Sequence, residues 1–132
     1  MAMTLNGTAS LTVLIVDDFA DARLTLKRML EMRDYRILEA ANGRAAVEVA
    51  KRVCPDLILM DLNMPEMDGL AATEQIRACR DACQGVPIIA ITAYDTYGMK
   101  EAALEAGCDD YITRPIDFEQ LDRVLHRYLI GW

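Results

Sequence analysis

Five short apolar runs recur along this chain, each separated from the next by a stretch of helical periodicity, and that alternation leaves few folds open. The runs are Leu11–Val16, Tyr35–Glu39, Leu57–Met60, Pro87–Ile91 and Tyr111–Ile112. They are too short for helices, rich in β-branched and aliphatic residues and flanked by turn or charged residues, which predicts strands. The first, third and fourth are almost wholly apolar, as parallel strands covered on both faces should be. The second is mixed and the fifth is short, which fits positions nearer the sheet edges.

The intervening stretches repeat apolar residues at spacings of three and four. Phe19, Ala22, Leu26, Met29 and Leu30, ending at Arg33, form one stripe; Ala46, Val49, Ala50 and Val53 form a second; Leu70, Thr73 and Ile76 mark a third. A fourth helix is predicted over Met99–Ala106, with Gly107 as its C-terminal cap. The last starts after Asp117, a good N-cap, and runs through Phe118, Leu121, Val124, Leu125 and Tyr128. The order βαβαβαβαβα predicts an α/β domain, a parallel sheet with helices on both faces, because each right-handed crossover must cover a face.

At 132 residues the chain suits one domain, and 53% hydrophobic residues can fill a core of normal size. Residues 1–10 are expected to be a loose leader, lacking the basic start and apolar stretch of a secretion signal. The domain itself is expected to occupy residues 11–132. No apolar run approaches the ~20 residues that would span a membrane. A formal charge of −7 argues against gripping nucleic acid, which needs clustered Lys and Arg. Cys54, Cys79, Cys83 and Cys108 make no C-x-x-C pair or disulfide framework, so reduced thiols in a cytoplasmic protein are expected. Cys79 and Cys83 lie four apart, but His126 is remote from them, which disfavours a metal site.

In open parallel sheets, ligands bind at the carboxyl ends of the strands. Asp17-Asp18 follow the first strand and Asp61 the third; Thr92-Ala93 end the fourth, and the fifth leads into Thr113-Arg114-Pro115. Carboxylates ~5 Å apart repel by roughly 3 kcal/mol per pair at an effective dielectric of ~20. A hard divalent cation offsets that repulsion, and Mg²⁺ is the natural candidate. A carboxylate beside such a cation can attack a phosphoryl group while neighbouring cations neutralise the transferring oxygens.

From about Thr12 to Leu129 the chain resembles the receiver domains of two-component response regulators. The resemblance rests on Val16-Asp17-Asp18, on Asp61-Leu-Asn-Met-Pro-Glu-Met-Asp-Gly69, on Ile91-Thr92-Ala93 and on Tyr111 to Pro115. It implies a doubly wound, flavodoxin-like sheet of strand order 2-1-3-4-5 with five helices. It also implies a signalling switch rather than an enzyme. Asp61 would accept a phosphoryl group from a histidine kinase or phosphotransfer protein. Asp18 and Asp61, with the backbone carbonyl of Asn63, would hold Mg²⁺, and Asp17 would act largely through water. Thr92 would move its hydroxyl onto the phosphoryl group, and Tyr111 would be the aromatic switch residue. A downstream protein would dock on the face made by the fourth helix, fifth strand and fifth helix. The peptide before Pro115 would be cis.

The family carries Lys where this chain has Arg114. Arg is longer, planar and bidentate, so the exchange is not conservative. Two readings stay open: Arg114 pairs with Asp61 and the phosphoryl oxygens, or it weakens coupling between phosphorylation and the switch. Two alternatives to a stand-alone switch also stand, a degenerate receiver serving as a constitutive interaction module and a receiver cut from a hybrid histidine kinase. An aspartyl phosphatase would want Asp-x-Asp after the first strand and a cap, and a nucleotide binder a glycine-rich loop; neither pattern is present. Among the remaining polar residues, Asp68 is expected to set a turn with Gly69, and Asp109 and Asp110 a helix-to-strand turn. Tyr94 is expected to shield the phosphoryl group from water. His126 is expected to face solvent, with no acid near it in sequence.

Overall fold

The computed structural model describes residues 11–62, 64, 68–79, 83–92 and 98–130. The expected leader, Asn63, Ala93 and Tyr94 lie outside the described residues. In chain order the elements are β1 Thr12–Val16, α1 Ala20–Glu31, β2 Arg36–Ala40, α2 Gly43–Val53, β3 Leu57–Asp61 and α3 Gly69–Ala78. Then come β4 Ile88–Thr92, α4 Met99–Ala106, β5 Asp110–Thr113 and α5 Phe118–Leu125, continued by a π-helical turn over His126–Ile130. The five strands form one parallel sheet of order β2-β1-β3-β4-β5, as the resemblance implied.

Alternation along the strands divides the core in two. Leu14, Val16, Ile58, Met60, Ile88 and Ala90 face one side, where they pack with Ala46, Val47, Ala50, Ala72, Ile76 and Ala103 of α2, α3 and α4. Val13, Ile15, Leu57, Leu59, Ile89, Ile91 and Ile112 face the other, against Leu26 and Leu30 of α1 and Leu121, Val124 and Leu125 of α5. β3 and β4 are buried along their whole length, whereas β2 and β5 are partly exposed edges. Apolar content therefore read out position in the sheet.

Side-chain caps open three helices. Asn42 accepts from Ala45 N–H, Asp68 from Ala71 N–H and Asp117 from Gln120 N–H. Gly107, at φ +118°, closes α4 in the left-handed region as anticipated.

Several sequence expectations are corrected. Phe19 does not belong to the buried stripe: it is the N-cap of α1 and is 61% exposed. Val53 is exposed as well, because the buried face of α2 runs through Gly43, Ala46, Val47 and Ala50 instead. The thiols are not all free. Cys54 and Cys83 form a disulfide, their Cα atoms 5.2 Å apart, while Cys79 and Cys108 are free. Sequence spacing could not expose that pair, because the fold brings the end of α2 beside the turn that precedes β4. His126 does have an acid near it: its Nε2 lies 3.7 Å from Asp122 Oδ2, one helical turn earlier.

Candidate functional site

The strand register assembles the site. Val16 pairs with Met60, so Asp17 follows β1 level with Asp61, the last residue of β3. Asp61 pairs with Ile91, so Thr92 ends β4 one residue further, and Thr92 pairs with Thr113, after which comes Arg114. Between β1 and β3 the winding reverses, since β2 lies on one side of β1 and β3 on the other. That reversal opens the crevice in which such sheets bind ligands.

Asp17, Asp18 and Asp61 each offer a carboxylate oxygen, and these atoms lie within 4.8 Å of one another. Asp17 and Asp61 are buried and Asp18 is exposed. At that separation each pair of ionised carboxylates repels by about 3 kcal/mol at an effective dielectric of about 20. The donor set is all oxygen, open to solvent at Asp18 and strongly negative, so it fits a small hard divalent cation.

Asp17 is held at every polar atom. Its N–H donates to the Ala40 carbonyl at 3.1 Å, and its carbonyl accepts from Arg23 Nη1 at 2.7 Å. Its Oδ1 accepts from Phe19 N–H at 2.9 Å. Its Oδ2 is paired with Arg114 Nη2. Arg23 also donates from Nε to Glu39 at 3.1 Å, tying α1 to β2 behind the site. Arg114 lines a groove with Pro115 and Ile116 against Ala22, Leu26 and Met29 of α1. The Arg114–Pro115 peptide is cis, and Arg114 N–H donates to the Thr92 carbonyl at 2.8 Å. Thr92 is buried. Tyr111 is half-buried beside α4, with the Lys100 ammonium 4.9 Å from the centre of its ring.

Behind Asp61 stands a residue whose importance the sequence understated. A Cβ on Gly69 would lie 2.3 Å from the Asp61 carbonyl oxygen and 2.9 Å from Leu62 Cα. Only glycine lets α3 start this close to the end of β3. Gly69 N–H in turn donates to the Leu62 carbonyl at 3.4 Å.

A family model, the response regulator receiver domain, matches residues 13–126. The chain belongs to the receiver-domain family. This receiver domain is 40% identical over 122 residues to the histidine-protein kinase BarA of Escherichia coli K12, covering 92% of the chain but only 13% of the kinase. It is 36% identical over 109 residues to the response regulator MprA of Mycolicibacterium vanbaalenii, covering 46% of that protein. Among solved structures, the receiver domain of the sensor histidine kinase PA1611 of Pseudomonas aeruginosa superposes at a TM-score of 0.86 with 37% identity. That match covers 93% of this chain and all of the other, whose active-site cleft holds a magnesium ion. The chemotaxis protein CheY4 of Vibrio cholerae gives a TM-score of 0.85 at 29% identity.

Proposed function

We propose that this receiver domain is a phosphorylation switch with Asp61 as phosphoacceptor. The observation that carries the reading is the gathering of Asp17, Asp18 and Asp61 within 4.8 Å at the point where the sheet reverses. Asp18, Asp61 and the Asn63 carbonyl would hold Mg²⁺, with Asp17 acting largely through water. When bound, the ion supplies charge neutralisation to the transferring phosphoryl oxygens.

An Asp61 carboxylate oxygen forms a bond to phosphorus as the bond from phosphorus to the donor's imidazole nitrogen breaks. The imidazole keeps that electron pair, and the product is an acyl phosphate on Asp61. Arg114 supplies a fixed positive charge at the same edge. The Thr92 hydroxyl then binds the phosphoryl group, and Tyr111 follows it inward, remodelling the face of α4, β5 and α5 for a downstream protein. The phosphoryl donor is a histidine kinase or a histidine phosphotransfer protein, and residues 11–132 act as one module. Kinship with both a kinase and a regulator supports this class of role, within a hybrid kinase or beside one.

The ion pair between Arg114 and Asp17 favours a second reading, a degenerate receiver that binds a partner without being phosphorylated. One experiment separates the two. Intact-mass analysis after incubation with Mg²⁺ and acetyl phosphate should give a phosphoryl adduct in the wild type and none in Asp61→Asn. No adduct in the wild type would select the second reading.

A further inference from the structure

We propose that Cys54 and Cys83 form a reversible redox site, oxidised and reduced by low-molecular-weight disulfides and thiols. The site is independent of the phosphoacceptor reading, since it sits at the amino edge of the sheet and uses none of the carboxylates.

Cys54 caps α2 in the left-handed region at φ 56°, three residues before β3 begins, and its N–H donates to the Ala50 carbonyl at 3.1 Å. Cys83 opens the turn before β4, where its carbonyl accepts from Val86 N–H at 3.1 Å. Ile58 N–H donates to the Pro87 carbonyl at 2.9 Å, so the two segments already meet where β3 and β4 start pairing. The Cα separation of 5.2 Å lies inside the range of about 4.4–6.8 Å that a disulfide spans. The bridge joins residues 29 positions apart, and the ring it closes contains all of β3, Asp61 and α3.

The two ends differ in access. Cys54 is exposed and Cys83 is buried, so a small thiolate reaches the bridge from the Cys54 side. Its attack on Cys54 Sγ breaks the Sγ–Sγ bond, and Cys83 leaves as a thiolate that takes up a proton. A second thiolate attacks the small-molecule sulfur of the mixed disulfide, releasing Cys54 and a small disulfide. Two small thiols are thereby oxidised and the protein is reduced by two electrons. Oxidised glutathione drives the reverse. Exposed disulfides are the labile ones, whereas deeply buried bridges resist exchange. Oxidation constrains the unfolded chain across this ring and ties the end of α2 to the turn before β4.

The test equilibrates the full chain in mixtures of reduced and oxidised glutathione, blocks free thiols by alkylation and digests without reductant. A peptide pair linking Cys54 to Cys83 should grow with the oxidised fraction and vanish in excess reductant. The oxidised protein should melt about 10 °C above the reduced one. Amide exchange over the last turn of α2 should be several-fold slower in the oxidised form. Cys54→Ser, at an exposed position, should melt like the reduced wild type at every glutathione ratio. Four alkylated thiols at all ratios, a bridge made instead through Cys79 or Cys108, identical melting of the two forms, or redox-dependent melting that persists in Cys54→Ser would each overturn the proposal.

Discussion

Arg114 reaches from the end of β5 across two intervening strands to pair with the carboxylate of Asp17, whose side chain is only 2% exposed. The Arg114 side chain is 29% exposed, so water screens part of the attraction. The pair offsets part of the cost of burying the Asp17 carboxylate. It also puts a resident cation on one of the carboxylates expected at the Mg²⁺ site. Removing the cation should therefore help the metal and harm the apo protein. Arg114→Ala is expected to bind Mg²⁺ about tenfold more tightly by calorimetry without a phosphoryl donor. In the same variant, metal-free stability should fall by about 1–2 kcal/mol. Equal Mg²⁺ affinities in wild type and variant would show that Arg114 does not compete.

Gly69 should tolerate no side chain. A Cβ placed 2.3 Å from the Asp61 carbonyl oxygen forces either α3 or the end of β3 to move. Overpacking of this kind costs roughly 1–3 kcal/mol, and the shift falls on the residue proposed as acceptor. Gly69→Ala is therefore expected to lower urea stability by at least that range and to reduce adduct formation with acetyl phosphate. Wild-type stability in Gly69→Ala would show that the segment between β3 and α3 relaxes freely.

The parts of this architecture written in local pattern were legible in the sequence. Strand number and the edge positions of β2 and β5 followed from apolar content, and the caps at Asp117 and Gly107 followed from residue type. The carboxyl-edge cluster followed from strand order, because a register can be reasoned about before it is seen. What stayed hidden depends on where distant segments meet. Nothing in the spacing of Cys54 and Cys83 announces their bridge, and nothing near Arg114 identifies Asp17 as its partner. Arg23 was overlooked for the same reason: it grips the Asp17 carbonyl and Glu39 only because α1 folds back over β1 and β2. Phe19 misled because its helical spacing from Ala22 and Leu26 is real, but the helix starts one residue too late to bury it.

Arg77 is expected to be the most sensitive charged residue outside the site. Its guanidinium donates to the carbonyls of Gly107 at 2.9 Å, Gln84 at 2.6 Å and Val86 at 2.7 Å, and pairs with Asp109 at 2.8 Å. Asp109 in turn accepts from Ile88 N–H at 2.9 Å, so the network joins α3, the end of α4 and the start of β4. The helix-to-strand turn expected at Asp109 is thus anchored by a cation whose sequence position gives no hint of it. Arg77→Ala leaves those carbonyls without their donor and should cost about 2–3 kcal/mol. Chemical denaturation measures it, and a loss below about 0.5 kcal/mol would mean that water replaces the guanidinium.

Asp68 separates a structural from a chemical role in the segment between the proposed acceptor Asp61 and α3. Its carboxylate caps α3 by accepting from Ala71 N–H at 2.9 Å. Replacing such a cap by Ala costs about 1 kcal/mol. Asp68→Ala should accordingly lower stability by that amount while forming the Mg²⁺-dependent adduct at the wild-type level. Loss of the adduct at unchanged stability would move Asp68 into the chemistry.

Stability should also fall at high pH, through Cys108. Burial pushes its thiol above the ordinary 9.0, outweighing the hydrogen bond it shares with Thr73 and the charge of Arg77, which act the other way. The unfolded chain therefore deprotonates first. Below about pH 8 the thiol is protonated in both states and its contribution is constant. As pH rises through the unfolded value toward the raised folded one, the unfolded state is favoured by its ionisation and stability declines. Tyr35 and Tyr128, both raised above 10.0 chiefly by burial, add to the decline at still higher pH. Urea midpoints measured from pH 8 to pH 10.5 should fall more steeply in the wild type than in Cys108→Ala. Alkylation should follow the same order, with Cys108 resisting iodoacetamide at pH 8.5 until urea exposes it. Parallel midpoint curves would mean that the buried thiol titrates alike in both states.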